Sequence, residues 1–386
     1  MFDVIIVGGG MVGASVAVKL AQAGMQVAVI EKQTPPPFTA DSKADLRVSS
    51  LNLRSEAWLQ QLGAWQALIQ MRVCPYQRLQ ASEGSAVVTF TAEEIGRSHL
   101  GHIVENNLVQ LALWQQFNER ITVFCPDGIT AFTQTAEQAE LTLESGKVLQ
   151  ARLVIAADGA RSQLRELAGI GTSGWQYQQA CLVAHVKTPY PQQDITWQQF
   201  TESGPRAFLP LPGAEASLVW YDDIHKVKQL AGLSPALLQQ QIMQHFPEQL
   251  GQIEVLSSSW FPLGRMHANR YVCGRLVLAG DAAHTINPLA GQGVNLGFAD
   301  AEKLTSLLTA TFEQAKDFAA PQLLKTYERS RRPANLLMMS TMDGFYQAFS
   351  SSLPPVRWLR QQSLQLASHA GVLKKLVSRY AVGAVD

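Results

Sequence analysis

Three short clusters of residues carry the chemistry that this sequence offers. The first is Gly8-x-Gly10-x-x-Gly13, placed between an apolar run and a helical pattern, with Ala17 one turn further on and Glu31 after the next apolar run. Gly8 permits a tight turn, Gly10 leaves bare backbone for a pyrophosphate to approach, and Gly13 allows close packing. The N–H groups at the helix start face an anion, and a carboxylate at Glu31 is placed to accept ribose hydroxyls. Glycines alone also serve as structural turns; the strand before them and Glu31 after them are what point to a dinucleotide. Nothing in this pattern separates NAD from FAD.

The second cluster is Asp158-Gly159-Ala160-Arg161-Ser162 with Arg165 one turn later, and the third is Gly280-Asp281-Ala282-Ala283-His284, followed by Pro288 and by Gly291-Gln292-Gly293-Val294-Asn295. Taken alone, each reads as a strand end, a turn and a capped helix start. His284 in such a loop reads as a structural residue before it reads as a general base.

The elements that must position these residues follow from periodicity. Val4–Val7 and Val27–Ile30 are apolar runs bounded by glycines and Glu31, and Val12–Leu20 between them has helical spacing, so the chain opens with a βαβ unit. Leu153–Ala157 and Arg275–Ala279 are further buried-strand patterns, each ending at one of the acidic clusters, and a helix is expected from Gly293 towards Leu308. Pro35-Pro36-Pro37 breaks the pattern, and a helix is expected around Ser55–Leu62. Ala86–Phe90, Cys181–Val186, Thr196–Thr201, Ala207–Leu211 and Ser217–Tyr221 read as strands of an antiparallel sheet. The expected fold is α/β: a Rossmann-like dinucleotide domain from 1–75, 100–175 and 265–335, an inserted antiparallel-sheet substrate domain from 76–99 and 176–264, and a C-terminal helical segment from 336–386.

Composition removes several classes. Of 386 residues 47% are hydrophobic, enough for a large core, and 31 basic residues balance 31 acidic ones, so no net field favours nucleic acid. Cys74, Cys125, Cys181 and Cys273 are scattered without a CxxC pair, so they read as free thiols and no metal site is expected. No signal-peptide pattern opens the chain and no apolar run is long enough to span a bilayer, so a cytoplasmic protein, able to touch the inner membrane peripherally, is expected.

In this order the three clusters resemble the signatures of the group A flavoprotein monooxygenases related to para-hydroxybenzoate hydroxylase, and the resemblance covers nearly the whole chain. It implies FAD as cofactor, with NAD(P)H and O2 as co-substrates and oxygen transfer through a flavin hydroperoxide. It assigns Asp281 to the ribitol, Asp158 to the segment near the pyrophosphate, and Gly291, Gln292 and Gly293, with Val294 and Asn295, to the flavin pyrimidine. The positive end of the following helix there favours the negative charge of reduced flavin. Pro288 matches the position beside the oxygen-reacting edge, and Arg47 and Gln110 match positions used against the cofactor. Asn107 departs from the family, where arginine is expected.

Longer strings narrow the resemblance to the hydroxylases of ubiquinone biosynthesis: Ala44–Ser49, Val104-Glu105-Asn106, Trp197–Phe200, Gly204–Leu211 and Asp281–Asn295. That implies a polyprenyl quinol substrate, whose electron-rich ring needs no dedicated base. Trp197, Phe200, Phe208, Leu209, Pro210, Trp220 and Tyr221 are candidates for an apolar substrate wall, although such strand residues also serve as ordinary core. Other readings within reach are a hydroxylase for another ring position or a soluble phenol, a flavin reductase, and a non-catalytic flavin-binding assembly protein. The Trp-x-Trp pattern of flavin halogenases is absent.

The basic segment with Lys374, Lys375 and Arg379 reads as a surface for a membrane or for a biosynthetic enzyme complex. Truncation at about Pro354 is expected to lower recovery of the protein with membranes or with such a complex; unchanged co-sedimentation and co-purification would contradict that role.

Overall fold

Strands buried on both faces of a parallel sheet must be apolar at every position, and four such runs lie side by side here. The computed structural model describes residues 1–286 and 293–350. Phe2–Val7 pairs in parallel with Val27–Ile30 on one side and Val148–Ala156 on the other. Leu276–Leu278 extends the sheet beyond Val148–Ala156, and Ile121–Phe124 extends it beyond Val27–Ile30. Val4, Ile5, Ile6, Val27, Val29, Val154 and Ile155 are fully enclosed. Helix Met11–Gln22 completes the expected βαβ unit and packs on the long helix Gly293–Glu313.

Register aligns Val7 with Ile30 and Ala156, and Ala156 with Leu278. Gly8, Glu31, Asp158 and Asp281 therefore all emerge within a few residues along one carboxyl edge, which is where open α/β sheets place ligands.

The second sheet is built on antiparallel pairs, in the order 284–285, 254–268, 172–187, 215–223, 206–211, 195–199, 78–83, 86–91, with a parallel pairing of Ile195–Gln199 and Arg78–Glu83. Ala180, Leu182, Ala184 and Val186 face helices Ile224–Ala231 and Pro235–His245, and Cys181 and Val183 face the other way. A three-stranded sheet of Val48–Asn52, Gly101–Glu105 and Cys74–Tyr76 lies between the two large sheets, sharing a core with Leu209 and Leu211.

Segment limits drawn at 175/176 and 264/265 fall inside the strands Thr172–Lys187 and Glu254–Ala268, which pair with each other, and the one at 335/336 falls inside helix Pro321–Ser350. Both strands belong to the second sheet along their whole length, so this stretch of that sheet begins at Thr172 and runs on to Ala268. All four cysteines are free; Cys74 and Cys181 are buried, whereas Cys125 and Cys273 are half-buried.

One buried carboxylate joins the late elements. Asp300, on helix Gly293–Glu313, is fully enclosed and accepts from the Gly280 N–H at 3.1 Å and from Asn335 Nδ2 at 2.9 Å. It pairs with Arg331 Nε at 2.7 Å and with His284 Nε2 at 2.5 Å. Burial pushes its carboxyl up, but His284, Arg331 and Asn335 outweigh this and hold it at about 2. Tyr327, from the same helix as Arg331, donates to the Leu278 carbonyl at 3.0 Å.

Asp300→Ala leaves Arg331 and the Gly280 N–H without their partner inside the protein, and a loss of about 3–5 kcal/mol is expected in urea unfolding. Because the folded-state pKa lies below the ordinary 3.8, this stabilisation is complete above about pH 4 and is lost as pH falls through about 2. An unfolding midpoint, or an acid limb, unchanged by the substitution would contradict the assignment.

Candidate functional site

The glycine loop distinguishes crowding from open space. A Cβ on Gly8, whose φ is +99°, would lie 2.3 Å from the Ala157 carbonyl oxygen, and one on Gly13 would lie 1.9 Å from the Gly8 oxygen. A Cβ on Gly10 would meet nothing within 4 Å. Gly8 and Gly13 thus serve the turn and the packing, whereas Gly10 faces a vacant approach to the first helix. That helix has no side-chain cap at Gly10 and no acidic residue in its first turn, so its N-terminal N–H groups remain available to an anion.

Gly9 between them is held at both backbone groups. Glu31 Oε2 accepts its N–H at 2.6 Å, while Gln110 Nε2 and Trp114 Nε1 donate to its carbonyl at 2.9 and 2.7 Å. Gln110 therefore reaches the glycine loop. Trp114, one helical turn later, went unnoticed; Gln110 and Trp114 at an i, i+4 spacing were the available signal.

Arg47 is exposed, and it pulls on Asp281 electrostatically. Its loop is fastened by Glu105, which accepts the Asp45 N–H at 2.7 Å and pairs with Arg72 at 2.9 Å, and by the Asn106 N–H bonded to the Arg47 carbonyl at 2.9 Å. The string Val104-Glu105-Asn106 thus works by holding Arg47. Asn107, next in line, has a buried Oδ1 that makes no hydrogen bond.

Arg165 clamps the second cluster to the third. Its guanidinium donates to the Ala160 carbonyl at 3.1 Å and to the Ala282 carbonyl at 2.9 Å. Ser162 caps the short helix after Asp158, accepting the Arg165 N–H at 3.0 Å. Burial pushes the Asp158 carboxyl up against the pull of the Ser162 side chain and the Leu164 N–H, and its buried Oδ1 has no well-formed hydrogen bond within the protein.

Asp281 is open to solvent yet surrounded by protein, as a group lining a concave site is. That enclosure pushes its carboxyl up, against the pull of His284 and Arg47. Gly280, with φ of +59°, and Gly297 both lie against Val12, so the third cluster packs on the first helix. His284 is committed to Asp300 as described, which is the structural reading of that histidine.

Pro288, Gly291 and Gln292 lie outside the described residues, as do Lys374, Lys375 and Arg379. Gly293 opens helix Gly293–Glu313, with open space where its Cβ would be, and Val294 is buried behind it. The Asn295 side chain is already used: Oδ1 accepts from Ser55 Oγ at 2.7 Å and from the Asn52 N–H at 3.2 Å, and Nδ2 donates to the Ser50 carbonyl at 2.8 Å. Any ligand contact there falls to its backbone.

The apolar wall needs correction. Trp197, Phe208 and Trp220 pack with Phe246 against the two helices behind the second sheet, facing away from the carboxyl edge, and Pro210 shares their face by alternation. Arg206 stacks on Trp220 at 4.6 Å and fixes it there. The opposite face carries Cys181, Val183, Val219, Tyr221 and Leu263, continuing into Leu209 and Leu211. Tyr221 and Leu209 are thus the candidates on the cleft side.

An open, uncapped helix start, an orphaned Asp158 oxygen and a solvent-open Asp281 on one edge are what a bound dinucleotide needs. A family model for the FAD binding domain matches residues 1–341. The chain is 46% identical over 384 residues to the 3-demethoxyubiquinol 3-hydroxylase of Escherichia coli (strain K12), covering 99% of this chain and 98% of that protein. It is 32% identical to the mitochondrial ubiquinone biosynthesis monooxygenase COQ6 of Danio rerio, covering 99% and 90% of the two chains. Among solved structures, the p-nitrophenol 4-monooxygenase of Pseudomonas putida DLL-E4 has the same fold, with a TM-score of 0.79 at 20% identity over 99% of this chain and 96% of that one.

Gly10→Ala places a methyl group in open space at an ordinary φ of −66°, so the fold should be unaffected while FAD affinity falls at least ~10-fold, about 1.4 kcal/mol. Gly13→Ala should instead lower the melting temperature. Flavin titration and thermal unfolding separate the two; Gly10→Ala with wild-type flavin affinity would remove this loop from the cofactor site.

Proposed function

The chain belongs to the FAD binding domain family, and from that premise we propose that it is a FAD-dependent monooxygenase that hydroxylates a polyprenyl benzoquinol in ubiquinone biosynthesis, using NAD(P)H and O2. The end-to-end relationship to the Escherichia coli hydroxylase carries this reading, and it makes the substrate a demethoxyubiquinol, 2-polyprenyl-3-methyl-6-methoxy-1,4-benzoquinol.

FAD bound along the carboxyl edge supplies the transfer of electrons from NAD(P)H and the activation of O2. The chain's own residues bind and orient. Gly10 and the first-helix N–H groups would take the pyrophosphate, supported by Asp158, and Glu31 Oε2, which accepts only the Gly9 N–H, keeps a lone pair for a ribose hydroxyl. Arg47 and Gln110 would flank the cofactor, and Asp281 would meet the ribitol. The start of helix Gly293–Glu313, with Gly293, Val294 and the Asn295 backbone, would turn its positive end to the flavin pyrimidine; Pro288, Gly291 and Gln292 belong to the same reading.

In this proposal the parallel sheet serves the cofactor and the second sheet the substrate. Val183, Val219, Tyr221 and Leu209 would exclude water from the reacting ring, since water admitted here would let the activated oxygen be lost as hydrogen peroxide before it reached the ring. A quinol ring is electron-rich by itself, so no side-chain base is required, in keeping with the commitment of His284 to Asp300. The polyprenyl tail has to be drawn from a bilayer or handed over by another protein. Peripheral contact or a biosynthetic complex is therefore part of the proposal; no helix among the described residues is long and apolar enough to cross a membrane.

The test is turnover of a short-chain demethoxyubiquinol with and without O2, followed by product mass and by the position of the new hydroxyl. An O2-dependent gain of one oxygen at the position of the missing methoxy group is expected. Oxidation of NAD(P)H without an oxygenated product would turn the assignment to a reductase, and bound flavin with no oxidation at all to an assembly protein. In the same assay Val219→Trp should raise the quinol KM about 10-fold, about 1.4 kcal/mol of binding, at unchanged flavin content; an unchanged KM would move the substrate off this face.

A further inference from the structure

Among residues assigned neither to cofactor nor to substrate, three metal-binding side chains converge. Glu56 lies in the first turn of helix Leu53–Gln61, His99 in the turn before strand Gly101–Glu105, and His102 within that strand, opposite Leu51. His99 Nε2 stands 2.7 Å and His102 Nδ1 3.3 Å from the same carboxylate oxygen, Glu56 Oε2, and the ligand atoms of all three lie within 4.8 Å of one another. A tetrahedral ion bound at about 2.0–2.1 Å needs ligand atoms about 3.3 Å apart. The His102–Glu56 separation already meets this, and the His99–Glu56 separation has to open by roughly half an ångström.

The partners around the cluster leave the ligand atoms facing inward. Ser98 Oγ lies 2.9 Å from His99 Nδ1, which fixes the ring and leaves Nε2 for the cluster. Gln60 donates to Glu56 Oε1 at 3.1 Å, leaving Oε2. Trp65 packs edge-on against the His102 ring at 4.9 Å. His102 is only 8% exposed, and its Nδ1, close to Glu56 but off the hydrogen-bond direction, makes no hydrogen bond. A buried ring nitrogen without a hydrogen bond is costly, and a cation between the three groups would satisfy it.

We propose that Glu56, His99 and His102 bind a divalent transition-metal ion of the zinc class, with solvent as the fourth ligand. Two imidazoles and one carboxylate suit zinc and exclude the all-oxygen preferences of calcium and magnesium. Bound there, the ion staples the helix that follows Val48–Asn52 to the strand that ends in Glu105, the residue that fastens the Arg47 loop. None of the three side chains is among those assigned to the flavin or to the substrate, so the site does not depend on that reading.

The experiment uses the full-length flavoprotein, treated with chelator and titrated with Co2+ by visible absorption and with Zn2+ by calorimetry, alongside His99→Ala, His102→Ala and Glu56→Gln. One equivalent of Zn2+ with a dissociation constant of about 1 μM or tighter is expected, with the strong visible bands of tetrahedral Co2+. Each substitution should weaken Zn2+ at least ~100-fold while flavin content stays at the wild-type level. His99→Ala and Glu56→Gln alter partly exposed side chains, so they keep the test valid if His102→Ala fails to fold. Absence of the Co2+ bands, or Zn2+ affinity unchanged in His99→Ala and Glu56→Gln, would overturn the proposal and leave a hydrogen-bonded His–Glu–His cluster.

Discussion

Among the described residues, the late elements are organised by a carboxylate that has no contact with water. An isolated buried charge is prohibitively expensive, so Asp300 is tolerable only with its full set of donors in place: the Gly280 N–H, His284, Arg331 and Asn335. Those donors come from the third cluster and from helix Pro321–Ser350, so satisfying one charge fixes the position of Gly280-Asp281 relative to two helices. Asp281 itself can then remain solvent-open and unspent for a ligand, because its neighbours bear the structural duty. Arg165 does the same from the other side, tying the second cluster to the third through the carbonyls of Ala160 and Ala282.

Much of this was legible in the sequence where a residue type answers a local demand. Gly8 needs a positive φ, Gly13 a close approach and Gly10 open space, and only the three together give a cradle. The four runs of the parallel sheet were readable because strands buried on both faces are continuously apolar. The place of Gln110 beside the loop came from resemblance alone, since a glutamine on a helix announces nothing by itself. Asp300 and Trp114 were passed over, and Glu105 and Arg165, although they lie within the quoted strings, gave no sign of what they hold. Their partners lie up to 117 residues away for Arg165 and 105 for Trp114, and no local pattern encodes such a pairing.

The second sheet shows where pattern reading misleads. Large aromatic residues invite assignment to a ligand wall, but along a strand the side is set by parity, and parity puts Trp197, Phe208 and Trp220 with the helices behind. The side that faces the cofactor sheet is instead lined by smaller groups, Val183, Val219 and Leu209, with Tyr221. Bulk is spent on the outer core, where it anchors the helices, and modest side chains leave room on the inner face.

The segment from Leu278 to His284 leaves the parallel sheet and enters the second one within six residues, at the His267–His284 pairing. Asp300 holds this short segment at both ends, through the Gly280 N–H and His284. The two sheets are thus fastened to each other at this point, and under the proposed function a substrate with a long hydrocarbon tail would keep that tail outside while its ring is held between them.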